Sequence, residues 1–129
     1  MNGKMRNDGL YTQETYDIIG AAIEVQKILG TGFQESIYQE ALALEFNARN
    51  IPFEREKELT INYKGIELNK KYYADFVCFG KIILELKTVD HIIDEHYSQV
   101  LNYLNITKYR LGLIINFGEI PLTTKRVIL

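Results

Sequence analysis

Tyr72-Tyr73-Ala74-Asp75-Phe76-Val77-Cys78-Phe79, followed after Gly80 by Lys81-Ile82-Ile83-Leu84-Glu85-Leu86-Lys87, is the stretch whose reading decides the fold. Both segments are short and rich in aromatic and β-branched residues, and a glycine separates them, so they read as two strands of a hairpin. Yet they carry Asp75, Glu85 and Lys87. An ionised side chain in a half-buried strand loses solvation unless it is paired or binds an ion, so these three charges point to a shared site.

Face alternation supports a shared site. Side chains two apart on a strand point the same way, so Glu85 and Lys87 share a face with Ile83, while Ile82, Leu84 and Leu86 fill the other. On the first strand Tyr73, Asp75, Val77 and Phe79 share a face. A two-residue loop at Gly80-Lys81 would send Asp75 to the face opposite Glu85. A three-residue loop, Cys78-Phe79-Gly80 with a left-handed Gly80, would set Asp75 diagonal to Glu85 on one face. The second arrangement is the expectation.

Outward from the hairpin, periodicity places the other elements. A first helix is expected to start after Thr12, with Thr12 as its cap, and to run to Leu29; Ile18, Ala22, Val25 and Leu29 make its stripe, widened by Ile19 and Ile23. Gly30-Thr31-Gly32 ends it. A second helix covers about Glu35 to Ala48, with Ile37, Ala41 and Leu44 on one stripe and Tyr38, Leu42 and Phe46 beside it. Strand follows near Phe53 to Tyr63, with a turn at Lys64-Gly65. After the central hairpin come a third helix near Ile93 to Ile106, a strand at Leu111 to Asn116 and a short strand at Thr123 to Ile128. Two helices, a meander, a helix and more strand make an α+β fold, a mixed-sheet sandwich. The first ten residues are polar and expected to be mobile, leaving 11–129 as a single domain.

Composition narrows the class. With 129 residues, 47% hydrophobic and 25% charged, the chain is sized for one ordinary globular core. No apolar run approaches the roughly 20 residues of a membrane span, and the start lacks a signal-peptide stretch, so a cytoplasmic protein without a membrane partner is expected. The single cysteine, Cys78, excludes an internal disulfide and reads as a buried thiol. A formal net charge of −2 gives no overall pull toward nucleic acid. A local patch could still serve, because Lys64, Lys70, Lys71, Lys81 and Lys87 crowd the strand region; a sheet edge guarded by lysine against aggregation explains them equally.

The third helix adds a polar set. Along HIIDEHYSQVLNYLNIT, Tyr97, Val100, Leu101 and Leu104 make the apolar face, while His96, Gln99 and Tyr103 form a second stripe at spacings of three and four. Gln99 and Tyr103, one turn apart, can address a ligand or a water together; the plain alternative is a core rim with the phenol in water. Glu35 opens the second helix, where the helix dipole alone would favour it, and its further role would be as an outer metal ligand. No nucleophile stands near His91 or His96, and phosphate-cradling, dinucleotide and zinc spacings are absent.

With Glu35, Asp75, Glu85, Lys87, Gln99 and Tyr103 assembled, the chain resembles the PD-(D/E)xK nuclease superfamily in its RecB-like branch. The match is to the small GxxExxY family, through Gly32-Phe33-Gln34-Glu35-Ser36-Ile37-Tyr38, and it runs from about Tyr16 to the end of the chain. The resemblance implies a restriction-endonuclease-like αβββαβ core with an additional N-terminal helix. It further implies Mg²⁺ or Mn²⁺ held by Asp75, Glu85, the Leu86 carbonyl and, directly or through water, Glu35. Lys87 would orient the attacking water, and Gln99 and Tyr103 would position water or phosphate. Ala74 stands where the superfamily name has proline. The implied activity is hydrolysis of nucleic acid, DNA before RNA, by a domain small enough to need a homodimer or a partner protein. Tyr72, Tyr73, Tyr97 and Tyr109 are candidates for stacking on bases, with packing as their plainer fate. A non-catalytic binding or scaffold protein of the same fold is the alternative; the acidity of the chain favours it and the intact Asp75, Glu85 and Lys87 set opposes it.

Overall fold

The apolar stripes of the first 50 residues do form helices, but each buries a narrower face than its pattern allows. In a computed structural model, which describes residues 9–129, α1 spans Thr12–Leu29 and α2 spans Glu35–Ala48. From α2, Tyr38, Leu42 and Phe46 are fully buried, whereas Ile37 and Leu44 of the neighbouring stripe are exposed. Thr12 is the first helical residue and not the cap. A left-handed Tyr11 precedes it, and the Thr12 hydroxyl donates to the Gly9 carbonyl. Of the expected mobile segment, residues 1–8 lie outside the described residues. Leu10 packs on the core, and its carbonyl accepts from Arg126.

The strands are β1 (Phe53–Tyr63), β2 (Ile66–Cys78), β3 (Ile82–Lys87), β4 (Leu111–Asn116) and β5 (Thr123–Ile128), with α3 (Asp94–Thr107) between β3 and β4. They form one five-stranded sheet in chain order, antiparallel except for the parallel pair β3–β4 that α3 connects. Parallel neighbours need such a crossover, which carries α3 over one face of the sheet. The expected α+β mixed-sheet fold is the one found.

Each sheet face has its own core. On one, α1 and α2 pack against Phe76, Cys78, Ile82, Leu84, Leu86 and, from β4, Leu111, Leu113 and Ile115; Phe46 meets both Phe53 and Phe76 at ring distances of 5.5 and 5.3 Å. On the other, Val100, Tyr103 and Leu104 of α3 pack against Leu59, Ala74, Val77, Ile83 and Ile114. Tyr103 therefore takes the core place expected for Tyr97, which is exposed. Cys78 is buried as expected, and burial pushes its thiol pKa up. Several of the lysines have local partners. Lys71 pairs with Glu67 and Glu58, Lys81 with Glu14, and Lys64 and Lys70 lie over the rings of Tyr63 and Tyr72. No helix among the described residues is long and apolar enough to cross a membrane.

Candidate active site

Two strands part at the point where the acids stand. The β2–β3 loop has three residues, as expected, but they are Phe79-Gly80-Lys81 and not Cys78-Phe79-Gly80: Cys78 pairs with Ile82, and Lys81 donates to the Cys78 carbonyl. Both Phe79 and Gly80 are left-handed (φ 56° and 67°), a conformation sequence preference would have assigned to the glycine alone. The ladder runs only to Phe76 and Leu84. One step further, side chains replace it. The Asp75 amide donates to Glu85 Oε1 at 3.0 Å, and the Leu86 amide donates to Asp75 Oδ2 at 2.8 Å. Each carboxylate thus holds the other strand's main chain, and the two acids face each other more directly than the expected diagonal.

A second irregularity lies across β1. Glu56 has φ 52° in the middle of its strand and falls, with Asp75, between the ladder pairs Arg55↔Phe76 and Lys57↔Ala74. A left-handed non-glycine residue inside a strand costs about 1–3 kcal/mol and is retained where the surroundings enforce it. Its effect is to turn the hairpin over. Phe53, Phe76 and Cys78 pack in the α1/α2 core, whereas Leu59, Tyr72 and Ala74 pack in the α3 core. Adjacent side chains of Arg55 and Glu56, which a regular strand would send to opposite faces, both reach Gln39 of α2.

Burial sets the electrostatics. Glu85 is 5% exposed, and burial first, then the neighbouring Asp75 charge, pushes its pKa up to about 8. Burial also raises Asp75, with Glu56 adding to it and the hydrogen bond from Leu86 opposing. Such a pair favours a cation between its oxygens.

From α3 a polar relay approaches. Lys87 Nζ donates to Gln99 Oε1 at 2.8 Å, and Gln99 Nε2 donates to the Tyr103 hydroxyl at 3.1 Å. An ammonium has no lone pair, so the Gln99 carbonyl must face Lys87 and its amide must face Tyr103. Burial, then the Glu85 charge, raises the Tyr103 pKa, which keeps it a phenol. His96 is not part of this relay: its Nδ1 accepts from the Ile93 amide at the start of α3. His91 lines a different cavity with Glu119 and Thr123.

A model of the PD-(D/E)XK nuclease superfamily matches residues 12–127. The chain belongs to that superfamily. In this PD-(D/E)XK domain the matched region contains Asp75 and the Glu85-Leu86-Lys87 run. The crystal structure of SSO0001 is similar to the fold, with a TM-score of 0.57 at 22% identity; the match covers 73% of this chain and 50% of that one, so the chain spans about half of its neighbour's length. No curated protein matches it.

Superfamily members of this type use divalent metal ions, and the donor set here fits one. Asp75 and Glu85 supply hard oxygen donors, and Mg²⁺ is commonly held by one or two carboxylates, with water and substrate phosphate completing its shell. Among the described residues no group of three or more His, Cys, Asp or Glu side chains could hold a metal ion, so the pair would need those other oxygens. Glu35 stands exposed at the start of α2, lining an open cleft with Ser36, Gln39, Arg55, Glu56 and Asp75.

Sequence reading missed Gln39, Arg55 and Glu56. Gln39 Nε2 donates to Glu56 Oε2 at 2.6 Å and to Asp75 Oδ1 at 3.0 Å, and its Oε1 accepts from Arg55 Nε at 2.8 Å. A hint existed for Gln39, which lies one helical turn after Glu35. The FEREKE run looks like a solvated strand edge and gives no sign of its inverted residue. Around it, the GxxExxY pattern has a physical reason in Tyr38, whose hydroxyl donates to the Gly30 carbonyl at 2.6 Å while its ring stacks on Phe117 at 4.6 Å.

Proposed function

We propose that this PD-(D/E)XK domain is a metal-dependent phosphodiesterase that cuts nucleic acid, with DNA the first substrate to test and RNA the second, and that it belongs to the RecB-like GxxExxY branch. The observation that carries the reading is the pair of half-buried Asp75 and buried Glu85 bridging two parted strands, with Lys87 held by Gln99 beside it. Asp75 and Glu85 would hold Mg²⁺ or Mn²⁺ together with the Leu86 carbonyl, and Glu35 would join through a water. When bound, the ion lowers the pKa of a coordinated water and stabilises charge developing on phosphate oxygens.

The side chains do the rest. Hydrogen bonds from Leu86 and Gln39 fix Asp75, so its carboxylate needs no reordering when substrate arrives. Lys87 puts one N–H on Gln99 and keeps two to orient the attacking water and offset phosphate charge. Tyr103 accepts from Gln99, so its own proton is left to donate to water or to a phosphate oxygen.

The test is cleavage of labelled single- and double-stranded DNA and RNA with Mg²⁺ or Mn²⁺, comparing the wild type with Asp75→Ala and Lys87→Ala. Metal-dependent cutting that both variants lose is the expected result. No cutting of any substrate, together with calorimetric Mn²⁺ binding that ignores Asp75 and Glu85, would leave a non-catalytic scaffold as the function.

A further inference from the structure

We infer that Arg55 is a substrate-binding residue that takes a phosphate oxygen of the nucleic-acid backbone on the α2 side of the cleft, opposite the Lys87 side. This rests on the nuclease reading and deepens it. Arg55 is exposed and lines the cleft that contains Asp75. Its Nε donates to Gln39 Oε1 at 2.8 Å, and Gln39 Nε2 donates to Asp75 Oδ1 at 3.0 Å, so a single buried amide connects the guanidinium to the acid pair. Gln39 has no rotational choice. Two carboxylates demand its amide group, and the guanidinium, which cannot accept, demands its carbonyl.

Two further observations separate this placement from an ordinary surface arginine. The left-handed Glu56 is what allows Arg55 and Glu56 to reach the same cleft from consecutive positions. Without it Arg55 would lie on the sheet face away from its neighbour. The second is charge. The cleft is lined by Glu35, Glu56 and Asp75, with Arg55 the one cationic side chain among them, and a polyanion cannot enter a purely acidic cleft without strong repulsion. With Nε anchored on Gln39, the two terminal nitrogens of the fork are oriented and suited to a phosphate's paired oxygens. Lys87 is committed to Gln99 on the α3 side, so the two cations address different phosphates or different faces of one.

The experiment measures binding apart from cleavage. Fluorescence anisotropy of labelled single-stranded and duplex oligonucleotides, DNA and RNA, is recorded in Ca²⁺ across a salt series for wild type, Arg55→Ala, Arg55→Lys and, as a charge-matched control, Lys27→Ala on the exposed side of α1. Mn²⁺ affinity of each is measured by calorimetry, and kcat and KM where cutting occurs. Arg55→Ala is expected to weaken oligonucleotide binding at least tenfold and to make the slope of log K against log salt shallower by about 0.7 to 0.9, the loss of one phosphate contact. Mn²⁺ affinity should stay within about twofold, Arg55→Lys should recover part of the binding, and Lys27→Ala should match wild type. Unchanged affinity and salt slope in Arg55→Ala, with a wild type that binds or cuts, would overturn the inference and leave the nuclease reading standing. So would a loss of Mn²⁺ affinity with the salt slope unchanged, which is what a purely structural hold on Gln39 would give. A wild type that neither binds nor cuts any of the oligonucleotides would remove the nuclease reading and this inference with it.

Discussion

The two faces of the sheet do different work. The α1/α2 face is closed over by Tyr38, Leu42 and Phe46, and its core residues make a continuous apolar and aromatic layer. The α3 face starts in the same way, with Val100 and Leu104 on Ile83 and Ile114, but it ends in Glu85, Lys87, Gln99 and Tyr103, where buried and half-buried polar groups replace apolar ones. The first face is mainly packing, whereas the candidate chemistry gathers at the edge of the second, joined there by Gln39 of α2 through Asp75. A substitution should therefore cost folding or activity according to its face.

The largest effect expected is at Lys87. Lys87→Ala removes a half-buried cation without opening a large cavity, so activity should fall by about a hundredfold to ten-thousandfold while the thermal midpoint moves little. Parallel cleavage assays and melting curves check this; a variant that simply unfolds would break the separation of faces. Phe46→Ala is the mirror experiment. It empties a fully buried site between Phe53 and Phe76 and should destabilise by about 3–5 kcal/mol in chemical denaturation, while the folded fraction keeps its turnover.

Next comes pH, whose main effect in the neutral range is expected at Glu85. Folded Glu85 keeps its proton to about pH 8, against an ordinary value of 4.5. Between those values the folded chain binds more protons than the unfolded one, so stability falls as pH rises. Metal-free protein should lose on the order of a few kcal/mol from pH 5 to pH 8.5, at up to about 1.4 kcal/mol per pH unit. Added Mn²⁺ should recover stability at the alkaline end by binding the folded state, and Glu85→Gln should flatten most of the dependence. A melting temperature that climbs over this range without metal would contradict it. The smallest effect is Tyr38→Phe, which deletes the bond to Gly30 but keeps the stack on Phe117. A loss of about 1 kcal/mol with normal turnover is expected from denaturant midpoints; lost activity would mean that the loop before α2 bears on the site.

The elements were legible because their causes are local. Helical spacing gave α1 and α2, and Asp75 with Glu85-Leu86-Lys87 stood out because charges interrupt apolar strands. The α3 stripe likewise put Gln99 and Tyr103 on one side. What could not be read depends on contacts between distant segments. The hairpin slipped by one residue because Phe79, not glycine alone, accepts a left-handed conformation once its amide is held by the Pro52 carbonyl. Gln39 looked like one more polar residue on a helix; its importance comes from three partners on β1 and β2. Tyr103 keeps its expected place beside Gln99 and also enters the core, while Tyr97 stays exposed, because periodicity alone does not specify how α3 sits on the sheet.

A sheet covered on both faces couples its two cores mechanically. One continuous strand, β2, carries Phe76 into the first core and Ala74 into the second, so neither layer can come apart without dragging the other. The domain should melt as one cooperative unit with no half-folded form. The amides of Asp75 and Leu86, bonded to side chains where β2 and β3 part, should exchange with solvent through that same global opening.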